Sequence, residues 1–425
     1  MIKIQLLLTG NEIMAGHTVD SNSAMIAEQL AGIGQQLYRK VTIGDDMDLL
    51  CAEINNLSNA SDILIINGGL GPTVDDLTAQ ALSIATEQPL TENLEAIEHL
   101  ENWCQHRQLN LNEANRKQAI LPAQVEIIAN PTGSAVGFSC EHNDCLIICT
   151  PGVPSELRGM MEQSILAIIQ KKAPNHIAVD TLRLQAFGVG ESTLQQLVND
   201  HCKDWPSAVE LGFRAGLPQL EIKLSIVDQQ AKQQQKRCLE TLYNLIGDCI
   251  IGTDDSTLAS AVLNLLQDKR AKITTAESCT GGLIASQLTS NAGASAMFEA
   301  GFVTYSNTMK SKMLSVDDQL IIDHGAVSAP VVQAMLAGAC LHSGAEYGIA
   351  VSGIAGPDGG TTTKPVGTVW IAWGHKDNIK TQQLCIPGSR KWFQTMVAAI
   401  GLDLLRRELL SIDTAPNYIS RYRMP

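Results

Sequence analysis

Apolar and polar positions along this chain change period from block to block. Residues 2–8 (IKIQLLL) are mostly apolar and read as a buried strand. Ala24 to Leu30 follow at helical spacing, behind the cap candidates of Asp20-Ser21-Asn22-Ser23. The exchange then repeats: YRKVTIGDD and DILIINGG read as strands, MDLLCAEINNLS and DDLTAQALSIAT as helices. Leu146 to Cys149 reads as a further strand and Glu156 to Ile169 as a helix. This βαβα rhythm predicts an open α/β sheet with parallel strands, whose ligands sit at the strand carboxyl ends.

From residue 171 the pattern changes. Residues 171–180 (KKAPNHIAVD) read as a linker. Strand-like LRLQAF, AVELGFRA and QLEIKLSIV then mix with helical GVGESTLQQLVNDH and AKQQQKRCLETLYNLI, a small α+β unit read as structural. Its order is KH-like, but it lacks the G-x-x-G clamp loop of KH-type RNA modules. A boundary near Gly252-Thr-Asp-Asp-Ser256 opens a second α/β unit. That unit has strands at Ala271/Ile273, Tyr347–Val351 and Gly367–Trp373, and helices at 257–268, Leu283–Leu288, Pro330–Cys340 and Trp392–Leu410. The fold class is thus α/β: two α/β domains, 1–170 and 253–425, joined by a small α+β domain, 171–252. A chain of 425 residues is too long for one ordinary core.

Charge narrows the function. Thirty basic against 44 acidic residues give a net charge of −14, which disfavours generic binding to DNA or anionic membrane. Eleven cysteines, with no CxxC pair, read as reduced thiols. Cys140, Cys145 and Cys149 fall in or beside an apolar strand rather than a ligand set. The apolar run near the start is too short for a signal or spanning segment, so the expected location is cytoplasmic.

Three loops carry candidate chemistry. In Asn67-Gly-Gly-Leu-Gly-Pro-Thr-Val-Asp-Asp76, Gly68, Gly69 and Gly71 would let a phosphate approach the backbone. Asp75 and Asp76 would hold a hard divalent cation beside it. The alternative is a capping box from Thr73 to Asp76. Pro151-Gly-Val-Pro-Ser-Glu156 offers Glu156 as a third oxygen ligand or simply a first-turn acid. Arg116 and Lys117 are phosphate candidates or a solvated pair. In residues 274–310, Gly281 and Gly282 turn a strand into a helix N-terminus, where free amides and the helix dipole suit a nucleotide phosphate. Packing alone is the alternative there. The same stretch holds Ser278, Cys279, Ser295, Tyr305 and Lys310.

TGNEIMAGHTVDSN, GGLGPTVDD, PGVPSE and AESCTGG, in this order over nearly the whole chain, resemble the CinA family (competence/damage-inducible protein CinA). The resemblance implies a molybdopterin-binding-type domain in front, shared with molybdenum cofactor biosynthesis proteins. Behind it implies a nicotinamide mononucleotide (NMN) amidohydrolase domain. The implied activities are metal-dependent ADP-ribose pyrophosphatase and NMN deamidase. The expected metal is Co2+ or Mg2+ in the front domain, with no cofactor behind. The expected partners are these small substrates and a second copy in a homodimer, with no nucleic acid and no membrane.

By the same resemblance, Gly293-Ala-Ser295-Ala-Met-Phe298 matches the family's G-x-S-x-x-F, making Ser295 the nucleophile over Ser278 and Cys279. Y-S-N-x-x-K maps onto Tyr305 and Lys310. Departures are small: Ala294 stands where relatives often have serine, and Ser352 where many have threonine. A serine hydroxyl needs a base. Lys310 would sit in the first turns of a helix capped by Ser306, and burial beside Tyr305 would add desolvation; both would favour the neutral amine. Ser278, Thr280, Gly281, Gly282, Ser352, Gly353 and Arg390 are expected to bind substrate. Glu12, Asn22, Gly68, Gly69, Gly71 and Thr73 are expected around the front nucleotide, with Asp75, Asp76 and Glu156 on the metal. Rival readings are a molybdopterin-type or nucleotide-binding front domain without catalysis, and a non-catalytic competence partner. The basic tail ISRYRMP reads as a frayed end.

Overall fold

Strands buried on both faces need helices on each side, and the first apolar runs behave this way. In the computed structural model, which describes residues 2–173 and 180–424, β1 (Ile4–Thr9) and β3 (Ile63–Asn67) are buried throughout. With β2 (Leu37–Ile43) they belong to the first of two compact units, Met1–Val179. Two short strands, β4 (Leu90–Glu92) and β5 (Ile120–Pro122), pair apart from the main sheet. The sheet is completed by β6 (Glu126–Ile128), β7 (Gly137–His142) and β8 (Cys145–Thr150), in the order β2-β1-β3-β8-β7-β6.

The first four strands of that order are parallel, as the βαβα rhythm predicts. β7 and β6 run antiparallel, which corrects the all-parallel expectation. The cause is local. Asn143 and Asp144 both adopt positive φ, 53° and 58°, so β7 turns back into β8 through a two-residue hairpin. Apolar cores lie on both faces of the sheet. The chain leaves β1 for β2 on one side and returns to β3 on the other. The switch between β1 and β3 therefore opens a crevice at their carboxyl ends.

Of the expected linker, Lys171 and Lys172 finish the helix Leu166–Lys172 and Asp180 opens the next strand; residues 174–179 lie outside the described residues.

The second unit, Asp180–Pro425, holds two sheets. β9 (Asp180–Ala186), β10 (Glu210–Gly216), β11 (Gln219–Ile226) and β12 (Ile250–Thr253) form an antiparallel sheet in the order β10-β11-β9-β12. Leu194 and Val198 of one helix and Cys238 and Leu242 of another share its core with Leu184, Ile222 and Leu224. The larger sheet contains β13 (Ile273–Glu277), β14 (Phe298–Val303), β15 (Tyr347–Gly353), β16 (Thr368–His375) and β17 (Asn378–Cys385), in the order β14-β13-β15-β16-β17. β13 is parallel to both neighbours, so the segments leaving β13, β14 and β15 meet at one edge.

The helix Arg390–Leu409 packs on this sheet and carries a buried polar cluster. Asp403 accepts from Arg406 and Arg407, both at 2.9 Å, and from the Tyr418 hydroxyl at 2.7 Å. Arg406 also donates to the carbonyls of Ile250 and Asp248, joining the helix to the small sheet. A buried charge is tolerated only when paired and hydrogen-bonded, as here. Tyr418 anchors the tail that the sequence reads as frayed: Asn417–Arg421 is helical, and Tyr418 and Tyr422 are buried. No helix among the described residues is long and apolar enough to cross a membrane.

Candidate functional site

β13 ends in a fully buried carboxylate. Glu277 accepts hydrogen bonds from the Thr280 hydroxyl (2.6 Å) and from the amides of Gly282 (3.1 Å), Ile284 (3.1 Å) and Ala285 (2.8 Å). Gly281 and Gly282, at φ 65° and 97°, bend the chain back over it. The anion site expected at this helix N-terminus is therefore filled by the protein's own carboxylate. Thr280, Gly281 and Gly282 form a turn around Glu277 rather than a phosphate cradle.

What this turn presents is Ser278. It is the first residue past β13, 8% exposed, with its amide bonded to the Val351 carbonyl at 3.1 Å. Its hydroxyl lies 3.1 Å from the Nζ of Lys310, which also donates to the Thr304 carbonyl at 3.0 Å. Lys310 is 1% exposed and sits in the helix Asn307–Leu314, whose Ser306 cap accepts the Met309 amide. Burial lowers its pKa from the usual lysine value. Among the described residues it makes no ion pair that would restore the charge. The amides of Cys279 and Thr280, next to Ser278, meet no acceptor among the described residues. Burial pushes the Cys279 thiol up to about 12, which removes it as a nucleophile.

Ser295 lies elsewhere. It is exposed on the short turn Ala294–Ala296, ahead of β14. β14 pairs Phe298 with Ile273 at its start and Val303 with Glu277 at its end. Ser295 is thus at the amino edge of the sheet and Lys310 at the carboxyl edge, separated by a strand length of roughly 17 Å at about 3.3 Å per residue. The structure does not bring Ser295 to Tyr305 and Lys310, which corrects that grouping; Lys310 meets Ser278 instead.

Tyr305 is exposed at the carboxyl edge, and its hydroxyl accepts from Arg390 at 2.7 Å. Arg390 also donates to the Gly356 carbonyl at 2.9 Å, so it pins the loop after β15 to Tyr305. Gln394, one turn further on the same helix, donates to the Cys279 carbonyl at 2.9 Å. Ser352 is on the expected edge, but its buried hydroxyl donates to Ala326. A side chain at Gly353 would come within 2.8 Å of the Thr368 carbonyl, so that glycine serves packing. The sequence reading missed Glu277, Thr304 and Gln394. Glu277 had a signal: an acid closing the apolar strand ITTAE needs a buried partner.

In the first unit, a cavity of about 520 Å³ opens at the carboxyl ends of β1 and β3. Glu12, Asn22, Gly68, Gly69, Gly71, Thr73, Asp75, Asp76 and Glu156 all line it, as do Asp20 and Asp45. Among the described residues no lysine or arginine does. Asn22 is 8% exposed; its Nδ2 donates to Asn67 (2.9 Å) and the Gly152 carbonyl (2.7 Å), while its Oδ1 has no partner among the described residues.

The expected metal ligands share this wall without converging. Asp76 accepts from the Thr73 amide at 2.8 Å and hydroxyl at 2.5 Å, and Glu156 accepts from Asn130 at 2.8 Å. Among the described residues no group of three or more His, Cys, Asp or Glu is placed to hold a metal ion. As arranged, Asp75, Asp76 and Glu156 do not fit one. No helix begins at the Thr73–Asp76 pair; the next starts at Thr78, so the bond closes a loop rather than a capping box. The glycines serve that loop too: a side chain at Gly69 would strike Thr78, and one at Gly68 the Thr9 carbonyl. Arg116 is paired with Glu92, and Lys117 donates to the Thr73 and Asp76 carbonyls, so both are held by protein groups.

Residues 5–171 match the model of the probable molybdopterin binding domain, and residues 255–409 that of the CinA C-terminal domain. A CinA-like protein of Colwellia psychrerythraea is 53% identical over 421 residues, covering 98% of each chain. One of Shewanella frigidimarina is 38% identical over 99% of each. Among solved structures, a CinA superfamily protein of Klebsiella pneumoniae is 36% identical, with TM-score 0.36, over 36% of this chain and 96% of its own. The chain belongs to the CinA family.

Proposed function

We propose that this CinA-family chain is a hydrolase that cleaves the carboxamide of nicotinamide mononucleotide with Ser278 as nucleophile and Lys310 as base. The observation that carries this is the 3.1 Å contact between Ser278 Oγ and a buried Lys310 amine with no carboxylate partner among the described residues. Ser278 Oγ attacks the carboxamide carbon while its proton passes to neutral Lys310. The Cys279 and Thr280 amides of the same loop, without acceptors among the described residues, receive the oxyanion in this reading. The Lys310 ammonium returns the proton to the leaving nitrogen, and ammonia departs from an acyl-Ser278 ester. Water, deprotonated by Lys310, opens the ester to nicotinate mononucleotide and restores the serine. Arg390 and Tyr305 orient the substrate at the rim; Ser295 takes no part. Ammonia release by Ser278→Ala and Ser295→Ala tests this directly: loss in the first and retention in the second are expected, and the reverse would overturn it.

For the front unit we propose a nucleotide site, with ADP-ribose as the substrate to try. The unpartnered Asn22 Oδ1 supports it, since a buried acceptor needs a donor such as an amino group or ribose hydroxyl. Hydrolysis to AMP and ribose 5-phosphate with Co2+ or Mg2+ is the fuller reading. The dispersed carboxylates favour a second one, in which this unit binds without cleaving. AMP release from ADP-ribose, with and without added metal, separates the two. A homodimer is proposed from the family resemblance.

A further inference from the structure

The folded tail builds a cavity that the deamidation chemistry does not use. About 460 Å³ in volume, it is lined by Cys385, Pro387, Trp392, Arg421, Tyr422 and Arg423. Its floor is fixed. Tyr422 is buried, and its carbonyl accepts the Cys385 amide at 2.8 Å. Tyr418, one turn earlier, is held by Asp403. Arg421 and Arg423 flank this anchor with exposed side chains, and neither makes an ion pair among the described residues. Trp392 is half-buried, and a side chain at Gly388 would come within 2.6 Å of its indole. The glycine therefore keeps bulk away from the ring.

Charge makes the place unusual. The chain carries a net −14, yet no acidic side chain among the described residues lines this cavity. The long helix Arg390–Leu409 also begins beside it, with Trp392 in its first turn and the Ser389 hydroxyl accepting the Trp392 amide at 3.2 Å. Two residues beyond Arg390, Trp392 lies about 200° round the helix, on the side away from Arg390 and Gln394. The cavity and the Ser278 site thus flank opposite sides of one helical turn.

We propose that this cavity binds a nucleoside monophosphate, with the base stacked on Trp392 and the phosphate held by Arg421 and Arg423. The Arg421 guanidinium, 5.5 Å from the Tyr422 ring centroid, and that of Arg423 suit phosphate, and an indole suits a purine face. The test is calorimetric titration of the full chain with GMP, which is neither substrate nor product of either proposed reaction. Saturable binding is expected, weakened at least about tenfold in Arg421→Ala/Arg423→Ala, falling with salt, and kept in Asn22→Ala. Inorganic phosphate alone should bind more weakly than GMP. Circular dichroism should match wild type, as both arginines are exposed, and Arg421→Lys/Arg423→Lys should recover part of the affinity. The proposal is overturned if wild type does not bind GMP, or if the double alanine variant binds it equally well. Equal affinity for phosphate alone would overturn the nucleoside part.

Discussion

The Nζ of Lys310 lies 3.1 Å from the Oγ of Ser278, and both are buried at the carboxyl edge of one sheet. Neither member is reactive alone: the hydroxyl needs a base, and an exposed lysine would be charged. Burial supplies what each lacks.

Ser278→Ala should therefore lower NMN deamidase kcat by at least about 10³-fold, as losing a nucleophile does. Ser295→Ala should stay within about twofold of wild type. Ammonia release under saturating substrate checks both.

The lysine also predicts a pH profile. Lys310 titrates below the ordinary 10.5, so kcat/KM should rise with pH through a limb lying below that value. The stability sign follows from the same shift. The unfolded chain binds this proton more tightly, so the cost of folding is full at pH below the folded pKa. It fades as pH rises through that pKa toward 10.5. Lys310→Met should abolish activity yet raise Tm at neutral pH, by thermal melts of the full chain. A lower Tm would mean that the buried amine stabilises the fold.

In the proposed reaction Glu277 would act through its turn. Glu277→Gln replaces one carboxylate oxygen with an amide donor, set against the Ala285 N–H or against those of Gly282 and Ile284, and should cost about 2–4 kcal/mol in stability. It should also lower kcat more than KM, because the Ser278 loop loses its fixed shape. A variant that melts early but keeps wild-type kcat would reduce Glu277 to a purely structural group.

The βαβα rhythm and the second α/β unit were legible because buried parallel strands write continuous apolar runs, as in β1 and β3. The β7–β8 turn was not, because Asn143 and Asp144 look like any polar loop until both adopt positive φ. Lys310 could be read as the base from the family resemblance, its helix position favouring the neutral amine. Its partner could not. The motif match placed Ser295 near Lys310 in sequence, and only the parallel pairing of β13 with β14 shows that a strand length divides them. The glycine loops misled for one reason: a glycine before a helix signals free amides, but Glu277 and Thr78 had already taken the space.

The front cavity gives the last prediction. Asp76 Oδ2 is bonded to Thr73 and Glu156 Oε2 to Asn130, so turning those oxygens to a cation would break bonds to charged acceptors, each worth about 1.5–3 kcal/mol. In the absence of nucleotide the full chain should bind Co2+ weakly, without a stoichiometric step in calorimetry. Thr73→Val removes the hydroxyl donor to Asp76 and should strengthen that binding by a few-fold. Asn22→Ala should weaken ADP-ribose binding and leave ammonia release from NMN unchanged, because Asn22 lies in the other unit from Ser278. Tight Co2+ binding by the unliganded wild type would show that these carboxylates rearrange at little cost.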